Sequence, residues 1–203
     1  MNIFTLDLEG VLIPEIWIRF AKSVGIAELE RTTRDEPDYD KLMRYRLDIL
    51  DKHNLKMPDI EKVLSKIEPL EGAKEFLDWL KSRGRVVILS DTFEQFANPI
   101  MKHLGYPTLF CHSLVVEKCG RISGYKLRMA DQKRKSVEAF RSLNFNVIAS
   151  GDSYNDLSML RAANSAVLYK PTAKFAAENS DLPVAENYTQ LKQKFEELEK
   201  IYG

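Results

Sequence analysis

The sequence predicts an α/β protein with a doubly wound, mostly parallel sheet and a helical cap inserted after the first strand. Short apolar runs typical of buried strands alternate with amphipathic segments typical of helices. Such alternation favours a parallel sheet that is covered by helices on both faces. It is interrupted once, over residues 12–70, where the segments are helical and the connections between them are polar.

The predicted strands are apolar runs, several of them rich in β-branched residues. In chain order they are NIFTL at 2–6, RVVILS at 85–90, the weaker PTLF at 107–110, NVIASGD at 146–152 and SAVLY at 165–169. Residues 113–126 favour a β-hairpin with its turn near Gly120. With helices between most of these runs, the strands fit a Rossmann-like sheet.

Helices are predicted where apolar residues recur at helical spacing. In the insert they are expected at 14–26, 39–55 and 59–67, and elsewhere at 71–84, 133–145, 155–164 and 188–202. Gly84 is a typical end signal for the first of the later group. In residues 133–145, the inward stripe is expected to comprise Val137, Phe140 and Leu143. We therefore expect a core domain of residues 1–11 and 71–203 and a cap domain of residues 12–70.

Composition and charge exclude several classes of protein. Of the 203 residues, 30 are basic and 30 are acidic, so the chain lacks the basic excess of a general nucleic-acid binder. No apolar stretch is long enough to cross a membrane, and the N-terminus lacks the pattern of a signal peptide. Cys111 and Cys119 suggest neither a metal cluster nor a disulfide framework, which favours the cytoplasm. The oligomeric state stays open, with a homodimer as one option.

Acidic and polar residues follow three of the predicted strands. Asp7 and Glu9 follow the first, Ser90 ends the second, and the segment GDSYND at 151–156 ends the third. In a parallel sheet these strand ends converge on one crevice. Carboxylates crowded together repel unless a cation lies among them, and oxygen-only ligands favour Mg²⁺. A lysine and a hydroxyl could then bind a phosphoryl group that one free carboxylate attacks.

These segments, in this order, resemble the four motifs of the haloacid dehalogenase-like phosphotransferases. The usual Asp-x-Asp-x-Thr/Val is DLEGV at 7–11, the strand-ending hydroxyl is Ser90, and the Gly-Asp-x-x-x-Asp motif is GDSYND. The lysine that opens a helix is best matched by Lys133, with Lys126 and Lys135 as alternatives. The insert is similar to the cap of the phosphoserine phosphatase branch.

One departure from the family pattern indicates which branch of the family the sequence resembles. Glu9 stands where most phosphatases of the superfamily carry Asp. Together with SDT at 90–92 and GDSYND, it resembles the branch described as phosphoserine phosphatase and phosphoserine:homoserine phosphotransferase. The longer side chain is expected to help the site to accept a second alcohol as well as water.

The resemblance implies a role for each acid and for the lysine. Asp7 would attack phosphorus, and Glu9 would protonate the leaving alkoxide and then deprotonate the next nucleophile. Lys133 would neutralise charge on the phosphoryl group. Mg²⁺ would be held by Asp7, the backbone carbonyl of Glu9 and Asp152, while Asp156 would bind it through water or orient Lys133.

Ser90, at the end of the second predicted strand, and residues of the insert would bind the rest of the substrate. Ser90 would donate a hydrogen bond to a phosphoryl oxygen. The backbone N–H groups of Asp91 and Thr92 would assist it, because a helix is expected to start there. The side chain of Asp91 is then expected to face outward as a helix cap. In the insert, Glu15 would bind the ammonium of phosphoserine.

The carboxylate of phosphoserine would be bound by an arginine of the insert. Arg46 fits this role because a guanidinium can bind a carboxylate through two hydrogen bonds, and Arg44 is its alternative. Asn155, in the fourth motif, is a further substrate-binding candidate.

The sequence therefore predicts Mg²⁺-dependent phosphoryl transfer from O-phospho-L-serine, through an aspartyl phosphate, to water or homoserine. The partner would be a small phosphate ester, with no nucleic acid and no membrane. One alternative is a phosphatase for another small metabolite phosphate. Another, of a different class, is a non-catalytic signalling module that stores a phosphate on an aspartate. The sequence does not fix the acceptor, since transfer and hydrolysis share all four motifs.

Overall fold

The computed structural model describes residues 1–33, 35–36 and 38–201. Across these residues the strands form one sheet in the order β4-β3-β2-β1-β5-β6-β7. The pairs are parallel except for the antiparallel pair β3–β4, which confirms the predicted fold class. The strands are β1 Asn2–Leu6, β2 Arg85–Phe93, β3 Thr108–Val116, β4 Ile122–Lys126, β5 Asn146–Gly151, β6 Ser165–Tyr169 and β7 Val184–Ala185.

The centre of the sheet fixes where a ligand can bind. β1 lies between β2 and β5, and its last residue, Leu6, is in register with Ile88 on one side and Ser150 on the other. The chain builds the sheet outward from β1 in both directions, so the order of the strands reverses between β1 and β5. A crevice for ligands opens at such a reversal, beyond the carboxyl ends of the strands.

The helices cover the sheet and form the insert. They are α1 Ile16–Val24, α2 Tyr39–Lys52, α3 Met57–Leu64, α4 Ala73–Arg83, α5 Glu94–Met101, α6 Gln132–Ser142, α7 Leu157–Ala162, α8 Ala173–Glu178 and α9 Tyr188–Glu199. Short 3₁₀ turns span Ala27–Glu30, Lys102–Leu104 and Tyr154–Asp156. None of the helices in the described ranges is long and apolar enough to cross a membrane.

Local signals explain where the insert helices begin and end. The side chain of Asp38 accepts hydrogen bonds from the first backbone N–H groups of α2, as a good N-cap does. Gly25 ends α1 in the left-handed conformation, with φ of 69°.

The insert packs against the β3–β4 hairpin and α5. The ring of Trp17 lies 5.3 Å from that of Phe96, and Met57 donates a backbone hydrogen bond to Gly120 at 2.8 Å. The segments that enter and leave the insert lie side by side, because the backbone N–H of Leu70 donates to the carbonyl of Leu12 at 2.9 Å. The division into core and cap domains stays a prediction.

The structure corrects several sequence expectations. β2 continues through Phe93, so the next helix begins at Glu94 and not at Asp91 or Thr92. β3 merges the weak strand at 107–110 with the first arm of the predicted hairpin. Leu143 is 67% exposed, because α6 ends at Ser142 and the chain leaves the helical stripe there.

Two elements were not expected from the sequence at all, namely α8 and β7. Two expectations fall partly outside the described residues. Arg34 and Pro37 belong to the polar connection at 31–38, and Tyr202 belongs to the predicted C-terminal helix.

Candidate active site

The turn after β1 places Asp7 at the crevice. Its backbone N–H donates to the carbonyl of Ser150 at 3.0 Å, so the pairing of β1 with β5 fixes its position. Gly10 then turns the chain with φ of 80°. A Cβ atom on Gly10 would lie 2.7 Å from Cγ of Asp152, so the turn needs a glycine to approach this carboxylate so closely.

Three buried carboxylates meet at this point and could hold a metal ion. Asp7, Asp152 and Asp156 each offer an oxygen within 4.8 Å of the others. Oδ2 of Asp156 accepts the backbone N–H of Asp152 at 3.0 Å, which fixes the loop. Burial, with the charge of Asp156, raises the pKa of Asp7 well above its usual value. A cation among these acids would offset the repulsion between the carboxylates, and hard oxygen ligands suit Mg²⁺.

Lys133 opens α6 and reaches the same acids from the other side. Its Nζ lies 2.7 Å from Oδ1 of Asp156, 2.9 Å from Oδ1 of Asp7 and 3.3 Å from Oδ2 of Asp91. Burial alone would lower the pKa of Lys133, but the three carboxylates outweigh it and raise the pKa well above its usual value. Both alternative lysines, Lys126 and Lys135, are exposed.

Ser90 and Asp91 lie at the end of the neighbouring strand. Ser90 is buried, and its carbonyl accepts a hydrogen bond from the side-chain amide of Gln132. Asp91 faces inward toward Lys133, which corrects the expected outward cap. The reason is that β2 continues past Asp91, so no helix needs capping there, and Lys133 stabilises the inward charge. Burial favours the neutral acid, yet Lys133, His112 and Asn155 hold the pKa of Asp91 well below its usual range.

Glu9 faces the start of the insert. Its Oε2 accepts the backbone N–H of Ile16, the first residue of α1, at 2.8 Å. Burial, with the nearby charge of Glu15, raises the pKa of Glu9 to about 7, although the N–H of Ile16 and the hydroxyl of Thr92 oppose the shift. A carboxyl in this range suits proton transfer near neutral pH.

Arg46 lies on α2, within the insert. Its guanidinium stacks 4.5 Å from the ring centre of Trp17, and Nη2 donates to the carbonyl of Arg31 at 2.8 Å. Burial lowers the pKa of Arg46 to about 10, even though Glu9 and other neighbours oppose the shift. Its Nε is buried and has no hydrogen-bond partner in the described structure. Arg44, the alternative, is exposed and pairs with Asp40.

One pocket between the insert and the sheet collects most of the predicted residues. Its walls include Asp7, Glu9, Glu15, Arg46, Ser90, Asp91, Asp152 and Asn155. Lys133 lines an adjoining pocket that shares Asp91 and Asn155 with the first, and Asp156 is fully buried behind Lys133. Sequence reasoning missed Trp17 and Tyr39 as pocket walls, because an aromatic residue on a helix is more often part of the core.

A four-motif site on this fold defines the class of the protein. The chain belongs to the haloacid dehalogenase-like hydrolase family, whose sequence pattern matches residues 1–164. It is therefore an enzyme, and the resemblance inferred from its motifs is confirmed.

Its relatives lie in one branch of that family. The chain is 53% identical to phosphoserine phosphatase ThrH of Pseudomonas aeruginosa, over 96% of this chain and 95% of that protein. It is 51% identical to a phosphoserine phosphatase of Pseudomonas syringae pv. tomato, over 96% of this chain and 82% of the relative. A substrate-bound phosphoserine phosphatase has the same fold, with a TM-score of 0.78 at 22% identity over 96% and 97% of the two chains.

Proposed function

We propose that the protein is a Mg²⁺-dependent enzyme that takes the phosphoryl group of O-phospho-L-serine onto Asp7 and passes it to water or to homoserine. The observation that carries this proposal is the buried arrangement of Lys133 between Asp7 and Asp156, 2.9 and 2.7 Å away, with Asp152 beside them. With Mg²⁺ held by these acids, the ion and Lys133 would both offer positive charge to a phosphoryl group, whose oxygens need several positive partners. The two Pseudomonas relatives, both described as phosphoserine phosphatases, support the choice of donor.

The insert supports an amino-acid donor. Arg46 is buried, yet its hydrogen bonds go to a backbone carbonyl and a sulfur atom, and its Nε has no partner in the described structure. A buried cation in this state is stabilised by a ligand carboxylate, which a guanidinium binds through two hydrogen bonds. Glu15 lines the same pocket and supplies the opposite charge for an ammonium group.

The first half of the reaction forms the phosphoenzyme. An oxygen of Asp7 bonds to phosphorus while the bond between phosphorus and the serine oxygen breaks. Glu9 gives its proton to the departing alkoxide, so serine leaves as a neutral alcohol. Lys133 and Ser90 bind the phosphoryl oxygens. Asp7, Asp152 and the backbone carbonyl of Glu9 would hold Mg²⁺, with Asp156 behind them, and the bound ion supplies positive charge to the phosphoryl oxygens.

The second half releases the phosphoryl group. Glu9, now a carboxylate, takes a proton from water or from the hydroxyl of homoserine. The oxygen that loses this proton bonds to phosphorus as the bond from phosphorus to Asp7 breaks. The product is inorganic phosphate or phosphohomoserine, and Asp7 returns to its starting state. Hydrolysis and transfer thus differ only in the acceptor.

One assay tests donor and acceptor together. The protein is incubated with Mg²⁺ and phosphoserine, with and without homoserine, and free phosphate and phosphohomoserine are followed in parallel. We expect phosphate without homoserine, and phosphohomoserine formed at the expense of phosphate when homoserine is added. No phosphohomoserine would limit the protein to hydrolysis. Faster turnover of a sugar or nucleotide phosphate would select a different donor, and a long-lived phosphoprotein without turnover would contradict the enzymatic proposal.

The length of Glu9 gives a sharper test of transfer. Relative to aspartate, its extra methylene moves the carboxyl by at most about 1.5 Å, one carbon–carbon bond. If this reach helps to activate a second alcohol, Glu9→Asp should lower the ratio of phosphohomoserine to phosphate. The ratio compares two fates of one intermediate, so changes in donor binding do not affect it. An unchanged ratio would remove Glu9 as the cause.

A further inference from the structure

His112 is a buried histidine at the edge of the candidate active site, and the proposed reaction gives it no role. It lies on β3, beside the end of β2. Its Nδ1 accepts the backbone N–H of Arg128 at 3.1 Å. A nitrogen that accepts a hydrogen bond carries no proton, so the proton of the neutral ring lies on Nε2. That nitrogen faces Oδ1 of Asp91 at 3.7 Å.

Both oxygens of the Asp91 carboxylate face groups that carry N–H protons, at Oδ1 across a distance longer than a direct hydrogen bond. Oδ1 faces the ring of His112, while Oδ2 lies 3.3 Å from Nζ of Lys133 and accepts the side-chain amide of Asn155 at 3.3 Å. The backbone carbonyl of Asp91 also accepts the hydroxyl of Tyr39, from the insert, at 2.8 Å. These partners restrain both the carboxylate and its backbone.

A carboxylate directly after Ser90 is unfavourable for phosphoryl binding, since like charges repel. Its contacts suggest why the site nevertheless contains one. Asp91 is the third carboxylate around Lys133, after Asp7 and Asp156. It lies on β2, whereas Asp7 follows β1 and Asp156 follows β5. The lysine ammonium is a point charge at the end of a flexible four-carbon chain, so a third anion adds a further restraint on its position.

We propose that His112 and Asp91 are positioning residues: Nε2–H of His112 orients the carboxylate of Asp91, which holds the ammonium of Lys133 where it meets the phosphoryl group. This inference rests on the proposed function only in taking Lys133 as a contact of the phosphoryl group. Because that contact is common to every donor, loss of the positioning lowers kcat by the same factor for any phosphate ester. KM changes little, because the ammonium acts most strongly on the charge that develops in the transition state.

Two substitutions at His112 separate positioning from a merely structural role. In His112→Gln, the amide nitrogen takes the place of Nε2 and can still direct an N–H at the carboxylate of Asp91. In His112→Asn, the shorter amide keeps an acceptor for the N–H of Arg128 but does not reach Asp91. We expect His112→Asn to lose about 10–100-fold in kcat on phosphoserine and on p-nitrophenyl phosphate, as outer-shell changes commonly do. His112→Gln should stay within about threefold of the unchanged protein.

The opposite ranking would overturn the proposal, because it would make the bond to Arg128 the one that matters. Equal losses in both variants, or none in either, would overturn it as well. Asp91→Asn provides a second test that preserves the shape of the side chain while removing its charge. Unchanged kcat on p-nitrophenyl phosphate in this variant would also contradict the proposal.

The two donors keep this test separate from the proposed function. p-Nitrophenyl phosphate carries no amino-acid groups, so it reports on Lys133 even if phosphoserine is not the natural donor. Turnover of the aryl phosphate but not of phosphoserine would reject the donor and leave the positioning test intact. Crystal structures of the two His112 variants give a readout that needs no activity. The distance between Nζ of Lys133 and Oδ1 of Asp7, 2.9 Å here, should be kept in His112→Gln and lengthened in His112→Asn.

Discussion

Lys133, on the helix α6 that packs against the sheet, and Arg46, on the insert, are both buried cations that line two adjoining pockets, but their surroundings are opposite. Lys133 has three carboxylate partners within 3.3 Å. Arg46 lies against the Trp17 ring and bonds to a backbone carbonyl, and its Nε has no partner in the described chain.

The difference indicates how the work is divided in the proposed reaction. The cation on α6 is neutralised before any ligand arrives, so the reacting groups are already in place for any phosphoryl group. The cation on the insert gains its best partner only when a ligand brings a carboxylate, so its burial penalty is relieved only by the right donor. The sheet side would then supply the chemistry, and the insert would supply the selectivity.

The largest effect should come from the sheet side, at Asp7. Asp7→Asn removes the nucleophile, so kcat should fall by about 10⁴-fold or more on phosphoserine and on p-nitrophenyl phosphate alike. No phosphoprotein should form with labelled phosphoserine. Asp48→Asn, at an exposed acid on the insert, is the control and should keep full activity. Residual turnover near the wild-type rate would mean that another group attacks phosphorus.

Lys133 should come next, and its loss should affect folding as well as activity. Lys133→Ala should lower kcat by about 10³-fold on both donors. It also leaves buried carboxylates without their cation, which should lower the free energy of unfolding by about 3–5 kcal/mol. Denaturant titration without Mg²⁺ measures this loss. Lys135→Ala removes an exposed lysine two positions along the same helix and should change neither quantity.

On the insert, Arg46→Ala should produce a selective loss. Two hydrogen bonds from a charged group to the donor carboxylate correspond to a fall of about 10²–10³-fold in kcat/KM for phosphoserine. For p-nitrophenyl phosphate, which has no carboxylate, the change should stay within about threefold. Arg44→Ala, at the exposed neighbour, should leave both values unchanged. Equal losses on the two donors for Arg46→Ala would refute its role in selectivity.

The smallest effect is expected from substitutions at two glycines, one beside the acids at the end of β1 and one in the insert. Gly10, beside the acids, and Gly25, at the end of α1, have similar positive φ values of 80° and 69°. A Cβ atom on Gly25 would meet nothing within 4 Å, whereas one on Gly10 would clash with Asp152.

Alanine at either glycine should therefore cost stability, but by different amounts. Gly25→Ala should lower the free energy of unfolding by about 1–2 kcal/mol, from the left-handed conformation alone. Gly10→Ala should lose about 1–3 kcal/mol more from overpacking, together with affinity for Mg²⁺. Thermal unfolding and Mg²⁺ titration measure both effects. Equal losses of stability would show that the turn yields without strain.

The sequence was most informative where a local pattern of apolar residues indicated a single type of element. Strands β1, β5 and β6 were predicted to within a residue, because a short apolar run bounded by polar residues is typical of a strand buried in a layered fold. The ends of β1 and β5 were expected to bring Asp7 and Asp152 together, and the structure places both in one buried acid group.

Local patterns failed where a tertiary contact outweighed them. β7 has only two residues, too few for any periodicity to appear, and exists because it pairs with β6. Asp91 was expected outside because a carboxylate after Ser90 looks like a helix cap. Its true direction depends on Lys133, 42 positions later in the chain, which no local pattern reveals.

By itself, the sequence determined the fold class, the order of the motifs and which acids stand at the strand ends. These follow from hydrophobic spacing and from the rule that parallel strands end on the same edge. Only the tertiary structure decided which lysine reaches those acids, which arginine is buried and that His112 faces Asp91. Such choices depend on distances between side chains far apart in the chain. Those distances are set by the packing of whole helices and strands, which neighbouring residues do not encode.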